Sequence, residues 1–252
     1  MDLALFALWC FLVAVAGGLV GLVLGNLRLP ATLVVASSAA AGGGANLAIS
    51  AIAALTAASV HARAGRINWR LVAWMAPPSI LGAVVGGYLA GTIPEWLLLG
   101  FIAAVLVQAG VELLRRPLKP KRAPSADGTP AELDLRAAVV SGAVVGLLGG
   151  LVGLILGSLR MPALLKWVGE GPQQAVGTNV AVGVLVGVAG ALAHLPNAAP
   201  DLDVILVGGA ASVPGALLGS RLTGRLSDEQ LVRAIGVVLL VAAVGCVVQA
   251  LT

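Results

Sequence analysis

Two arginines stand where arginines are rarely found. Arg28 lies in Gly25-Asn26-Leu27-Arg28-Leu29-Pro30, and Arg160 in Gly157-Ser158-Leu159-Arg160-Met161-Pro162, each beside a long apolar run. A guanidinium is permanently charged, and its planar fork of N–H donors matches the oxygens of an anion. No acidic residue neighbours either arginine in sequence. A charge among apolar residues is costly unless it meets a partner or a water-filled path. The alternative is that both side chains lie near an interface and reach lipid headgroups. Glycine, a small polar residue and proline together break a helix, which places the break at Gly25 and Pro30, and at Gly157 and Pro162. A broken helix offers free N–H groups and a positive dipole end, and both suit an anion.

Asn46 and Asn179 open the apolar segments that follow. Gln174, Thr178 and Asn179, in Gln173-Gln174-Ala175-Val176-Gly177-Thr178-Asn179, read as a polar helix start. These groups cap the helix, or cap it and also face an anion. The expected binding set is therefore Arg28, Arg160, Asn46, Thr178, Asn179 and Gln174. His61 and His194 are expected at opposite membrane faces, too far apart to share a metal. Cys10 and Cys246 sit in apolar runs without CxxC spacing and read as packing residues. Glu112 is expected near water at one membrane face. Glu170 is the carboxylate best placed to approach the centre. There is no HExxH, no nucleotide-binding loop and no Ser/His/Asp set, so an enzyme is disfavoured. No bound cofactor and no metal are expected. The scarcity of buried acids favours an anion over a cation as cargo.

The elements that must position these residues come from a duplication. Gly18–Ala31 reads GLVGLVLGNLRLPA and Gly150–Ala163 reads GLVGLILGSLRMPA, eleven of fourteen positions being identical at an offset of 132. One inserted residue then makes the offset 133. It aligns Asn46 with Asn179, His61 with His194, and Ser79, Gly82 and Gly86 with Ser212, Gly215 and Gly219. The last two sets are small-residue faces suited to close helix packing. Only 10% of the residues are charged, 59% are hydrophobic, and mean hydropathy is +1.04. A soluble domain carries about 25% charged residues. Apolar runs of about 20 residues fit a bilayer core, and their continuity argues for helices rather than barrel strands. The expected fold is an all-α integral membrane protein of two tandem repeats. Its parts are residues 1–116, a cytoplasmic linker at 117–135, and residues 136–252. The apolar segments of copy one fall at 3–26, 29–42, 45–62, 70–92 and 96–114. Those of copy two fall at 136–157, 161–170, 175–195, 203–224 and 229–250. The first segment is read as part of the fold and not as a cleaved leader.

Two topologies compete. The first segment of each copy either spans alone, giving parallel repeats, or pairs with the short second segment in a re-entrant hairpin. The hairpin leaves three crossings after it and inverts the repeats. Basic residues collect in cytoplasmic loops. Arg63, Arg66 and Arg70 form one basic loop, and Arg221 and Arg225 another, whereas Asp201 and Asp203 stand in a loop without basic residues. Only the hairpin topology puts both basic loops inside and the acidic one outside, so inverted repeats are expected. That plan recurs among secondary transporters, with the substrate held near the midplane.

The chain resembles the sulfite exporter TauE/SafE family of membrane permeases over nearly its whole length. The resemblance rests on the Gly-rich hairpins Gly18–Pro30 and Gly150–Pro162, on Ala175-Val176-Gly177-Thr178-Asn179, on the turn His61–Arg70, and on Ser79, Gly82 and Gly86. The GxGGG-like run common in the family is here GlyLeuValLeuGly. The resemblance implies export of sulfite or a small organosulfonate across a bacterial inner membrane, without a cofactor. The expected partners are a small anionic solute, the lipid bilayer and a coupling ion or proton, with homo-oligomerisation open and no nucleic acid. Alternatives are the same fold carrying a carboxylate or a metal cation, or a membrane scaffold that transports nothing. Channel and carrier are both left open.

Overall fold

The structure is a computed structural model. It describes residues 2–89, 92–115, 133–152, 154–194 and 201–251. The linker falls almost wholly outside these residues, as do the side chain of His194 and most of the loop before Asp201.

Among the described residues all regular structure is helical: α1 Leu3–Val20, α2 Gly25–Val35, α3 Ala39–Arg63, α4 Trp69–Tyr88, α5 Glu95–Arg115, α6 Leu135–Val152, α7 Gly157–Ala163, α8 Pro172–His194, α9 Leu202–Thr223 and α10 Asp228–Leu251. A π-helical turn at Leu164–Val168 follows α7. Seven of the helices, α1, α3, α4, α5, α6, α9 and α10, are long and apolar enough to cross a membrane. Short polar side chains start several of them. Asp2 accepts from the Ala4 N–H, Ser38 from Ala41 and Asn68 from Leu71, each taking up an N–H that has no partner within its helix.

The first hairpin closes by chain reversal. Gly21 ends α1 in the left-handed region, at φ 68°, and a Cβ there would lie 2.5 Å from the Val176 carbonyl oxygen. Residues 22–24 then run without helical structure and α2 turns back along α1. Trp9 donates its indole N–H to the Leu27 carbonyl at 3.0 Å, and Phe6 and Cys10 share an apolar cluster with Ala31 and Val35. The second hairpin repeats this, with α6, an irregular stretch at 154–156 and α7.

The break is therefore four residues earlier than the sequence suggests. Gly25 and Gly157 are the first residues of α2 and α7, and Pro30 and Pro162 lie inside those helices. Each proline removes one helical hydrogen bond but does not end its helix, because neighbouring groups can take up the freed carbonyl. Likewise α3 starts at Ala39, so the glycine run 42–44 belongs to it.

The copies interlock. A Cβ added at Gly18 of α1 would lie 2.8 Å from the Ala216 carbonyl oxygen of α9. One at Gly150 of α6 would lie 2.2 Å from that of Ala83 in α4, and Ala83 and Ala216 are counterparts at the offset of 133. Gly215 and Gly219 approach Phe11 and Val15 in the same way, and Gly82 and Gly86 approach Ala143 and Leu147. The small-residue faces are thus backbone contacts between copies, as their pattern suggests.

These contacts fix helix directions. The pairs α1 with α9 and α4 with α6 run in register and parallel. His61, near the end of α3, reaches the Gly18 carbonyl near the end of α1. So α3 runs with α1, α4 returns, and α6 follows α4, opposite to α1. These directions are consistent with inverted repeats. Asp201 accepts from the backbone N–H and hydroxyl of Ser37 just before α3, whereas Arg63 ends α3. The acidic and basic loops therefore lie at opposite ends of α3.

Candidate functional site

Each hairpin places its arginine as the fourth residue of a short helix, just past the irregular stretch. Arg28 and Arg160 are 2% and 1% exposed, so neither side chain reaches a headgroup region. No carboxylate among the described residues pairs with either one; the ion pairs found are Lys166–Glu112 and Arg233–Glu229. Burying a charge so completely requires hydrogen bonds from neutral groups or a counter-charge brought from outside.

The neutral groups come from the long helix after each hairpin. Arg28 donates Nε to Asn46 Oδ1 at 3.0 Å and Nη2 to the Asn46 carbonyl at 3.1 Å and to the Ser50 hydroxyl. Arg160 donates Nη1 to Asn179 Oδ1 at 3.2 Å. Each asparagine amide then ties down its hairpin. Asn46 Nδ2 donates to the Gly25 carbonyl at 3.1 Å, and Asn179 Nδ2 to those of Gly157 and Gly21, at 3.0 and 2.7 Å. One amide thus answers an arginine with its oxygen and a helix break with its nitrogen. Asn179 also joins the hairpins, because Gly21 belongs to copy one.

The asparagines are not caps. Ser38 caps α3 and α8 begins at Pro172, so both asparagines lie inside their helices, where their side chains are free to bond across to the hairpin. Thr178 is fully buried, but its oxygen accepts the Asn68 N–H at 3.0 Å. Gln174 is exposed in the first turn of α8 and does not join the arginines. Glu170, also off the centre, accepts from Asn68 Nδ2 at 3.1 Å. Burial holds its carboxyl above the ordinary value, against a lowering by that hydrogen bond. Glu112 pairs with Lys166. Cys10 and Cys246 are buried free thiols, and Asn26 lies against Cys246. Among the described residues no group of three potential metal ligands assembles.

A small cavity adjoins the first arginine. Its walls are apolar or small, Gly18, Val23, Ala54 and Ala57 among them, and Arg28 and Ser50 are the only polar side chains among the described residues that line it. Ser50 is a residue that motif reading misses. Its signal is positional, one helical turn beyond Asn46 and aligned with Gly183 in the other copy.

A family model described as sulfite exporter TauE/SafE matches residues 6–246. The chain belongs to the sulfite exporter TauE/SafE family. No curated protein and no solved structure matches it. This TauE/SafE member is thus a multi-pass membrane protein of a transporter family, not of an enzyme family. Within it, the duplicated hairpin, the buried arginine and the asparagine behind it form one unit, made twice.

Proposed function

We infer that this protein is a secondary transporter that exports a small sulfur oxyanion, such as sulfite or an organosulfonate, across a bacterial inner membrane. The observation that carries the reading is the pair of buried guanidinium groups at matching positions, neutralised by no carboxylate among the described residues. An arriving oxyanion supplies the missing counter-charge, and forked N–H donors hold it in a fixed orientation. Arg28 and Arg160 bind it, and Asn46 and Asn179 orient them. Thr178 supports this arrangement from behind through Asn68, and Gln174 stands at the approach. Residues 1–116 and 136–252 act as two inverted units joined by a cytoplasmic linker, and movement of one against the other alternates access. An ion gradient or the membrane potential drives the cycle.

The test is flux into proteoliposomes holding the purified protein. Saturable movement of sulfite, suppressed by excess methanesulfonate and untouched by a divalent cation, is the expected result. Competition by the divalent cation with no effect of either sulfur anion overturns the reading, as does the absence of any solute flux.

A further inference from the structure

The two hairpin units differ at one telling pair of positions. Ser50 and Gly183 align at the offset of 133, as Asn46 and Asn179 do. Ser50 accepts from Nη2 of Arg28. Gly183 has nothing to offer, and Nε of Arg160 is buried without a partner.

Ser50 also departs from three other buried hydroxyls of this protein. Thr32, Ser79 and Ser220 each donate to the carbonyl four residues back, at 3.1, 2.8 and 2.6 Å. This is the usual resting place of a helical hydroxyl proton. The carbonyl four residues back from Ser50 is that of Asn46, which receives Nη2 of Arg28 instead. Ser50 makes no such bond. Its oxygen accepts a hydrogen bond from Arg28, and its own O–H has no acceptor among the described residues. Nη1 of Arg28 makes no hydrogen bond with a described residue. Arg28 and Ser50 together form the polar lining of the cavity.

We propose that Ser50 is an anion ligand and a specificity-determining residue, whose O–H donates to an oxyanion lodged in this cavity against Nη1 of Arg28. The two half-sites are then chemically unequal, and the anion sits toward the first. The inference rests on the reading that Arg28 holds the transported anion. Nη1 offers two N–H groups, which two oxygens satisfy. The Ser50 hydroxyl serves a third. An anion with three oxygens on one centre offers the Ser50 O–H an oxygen of its own, whereas a carboxylate must share one oxygen between Ser50 and Nη1.

The experiment measures sulfite flux and its inhibition by methanesulfonate, which has three such oxygens, and by acetate, which has two. Loss of one hydrogen bond to a charged group weakens binding about tenfold or more. Ser50→Ala is expected to raise the KM for sulfite and the inhibition constant of methanesulfonate by about tenfold, leaving acetate within about twofold. Ser50→Thr, which keeps the hydroxyl, restores both. A Ser50→Ala variant that keeps its sulfite KM within about twofold overturns the proposal. So does an equal loss for all three anions, which marks Ser50 as a mere prop for Arg28. If wild-type protein moves no sulfite, the transport reading fails and takes this inference with it. If it moves sulfite and Ser50→Ala matches it, only the inference fails.

Discussion

Replacing Asn179 with leucine keeps nearly the same volume and removes three buried hydrogen bonds at once. The amide donates to the carbonyls of Gly21 and Gly157, at 2.7 and 3.0 Å, and accepts from Arg160 at 3.2 Å. A neutral hydrogen bond contributes about 1 kcal/mol and one to a charged group at least about 1.5 kcal/mol, so the three together reach about 3.5 kcal/mol. Lipid lowers this, because a chain denatured in a membrane finds other partners. Side-chain bonds between helices in bilayers average about 0.6 kcal/mol, which brings three of them to about 2 kcal/mol. The expected loss therefore lies between about 2 and 3.5 kcal/mol. Asn46→Leu is the internal comparison. It removes the bonds to the Gly25 carbonyl and to one Arg28 N–H, while the Asn46 carbonyl and Ser50 still hold Arg28. The same reasoning gives about 1 to 2.5 kcal/mol. Unfolding in mixed micelles by detergent titration, followed by tryptophan fluorescence, measures both. If Asn46→Leu costs as much as Asn179→Leu, the claim that Asn179 is the tie between the hairpins is wrong.

Three further outcomes follow from particular contacts. Gly150→Ala puts a Cβ 2.2 Å from the Ala83 carbonyl oxygen and should destabilise by about 1–3 kcal/mol, whereas Gly100→Ala, with nothing within 4 Å, should not; equal melting temperatures would contradict the close packing. The folded state resists ionisation of Glu170, so its contribution is neutral below its ordinary pKa of 4.5 and unfavourable as pH rises through the raised value. Wild-type protein should thus lose melting temperature relative to Glu170→Gln as pH climbs from 4.5 toward neutrality, and parallel curves would refute this. Cysteines placed at Ala64 and Asp203 should react with an impermeant reagent from opposite faces of the membrane, and labelling from one face would break the hairpin topology.

The duplication was legible because eleven of fourteen consecutive positions repeat it, and the hairpin was legible because only that topology sorts the loop charges. The break was misplaced for a physical reason. Gly25 and Pro30 are strong breakers by type, but Gly21 takes the left-handed conformation, and that choice depends on how tightly the chain passes Val176. The asparagines were readable as important but not as interior. The start of α3 hides in an alanine and glycine run, where only the Ser38 cap marks it. Both arginines were found from sequence because charge in an apolar run is conspicuous. Their partners were not fully found, because a lone serine in an apolar helix resembles a packing residue until Arg28 is seen against it. Thr178 looked like a ligand by its neighbourhood, and the structure sets its oxygen against the Asn68 N–H.

The central claim is that two buried arginines, one from each hairpin, hold the transported anion. Sulfite flux into proteoliposomes, measured for wild type, Arg28→Ala and Arg160→Ala with each protein confirmed folded, tests it most directly. Saturable flux in wild type that disappears in both variants is the predicted result. Saturable sulfite flux that survives in both variants contradicts it.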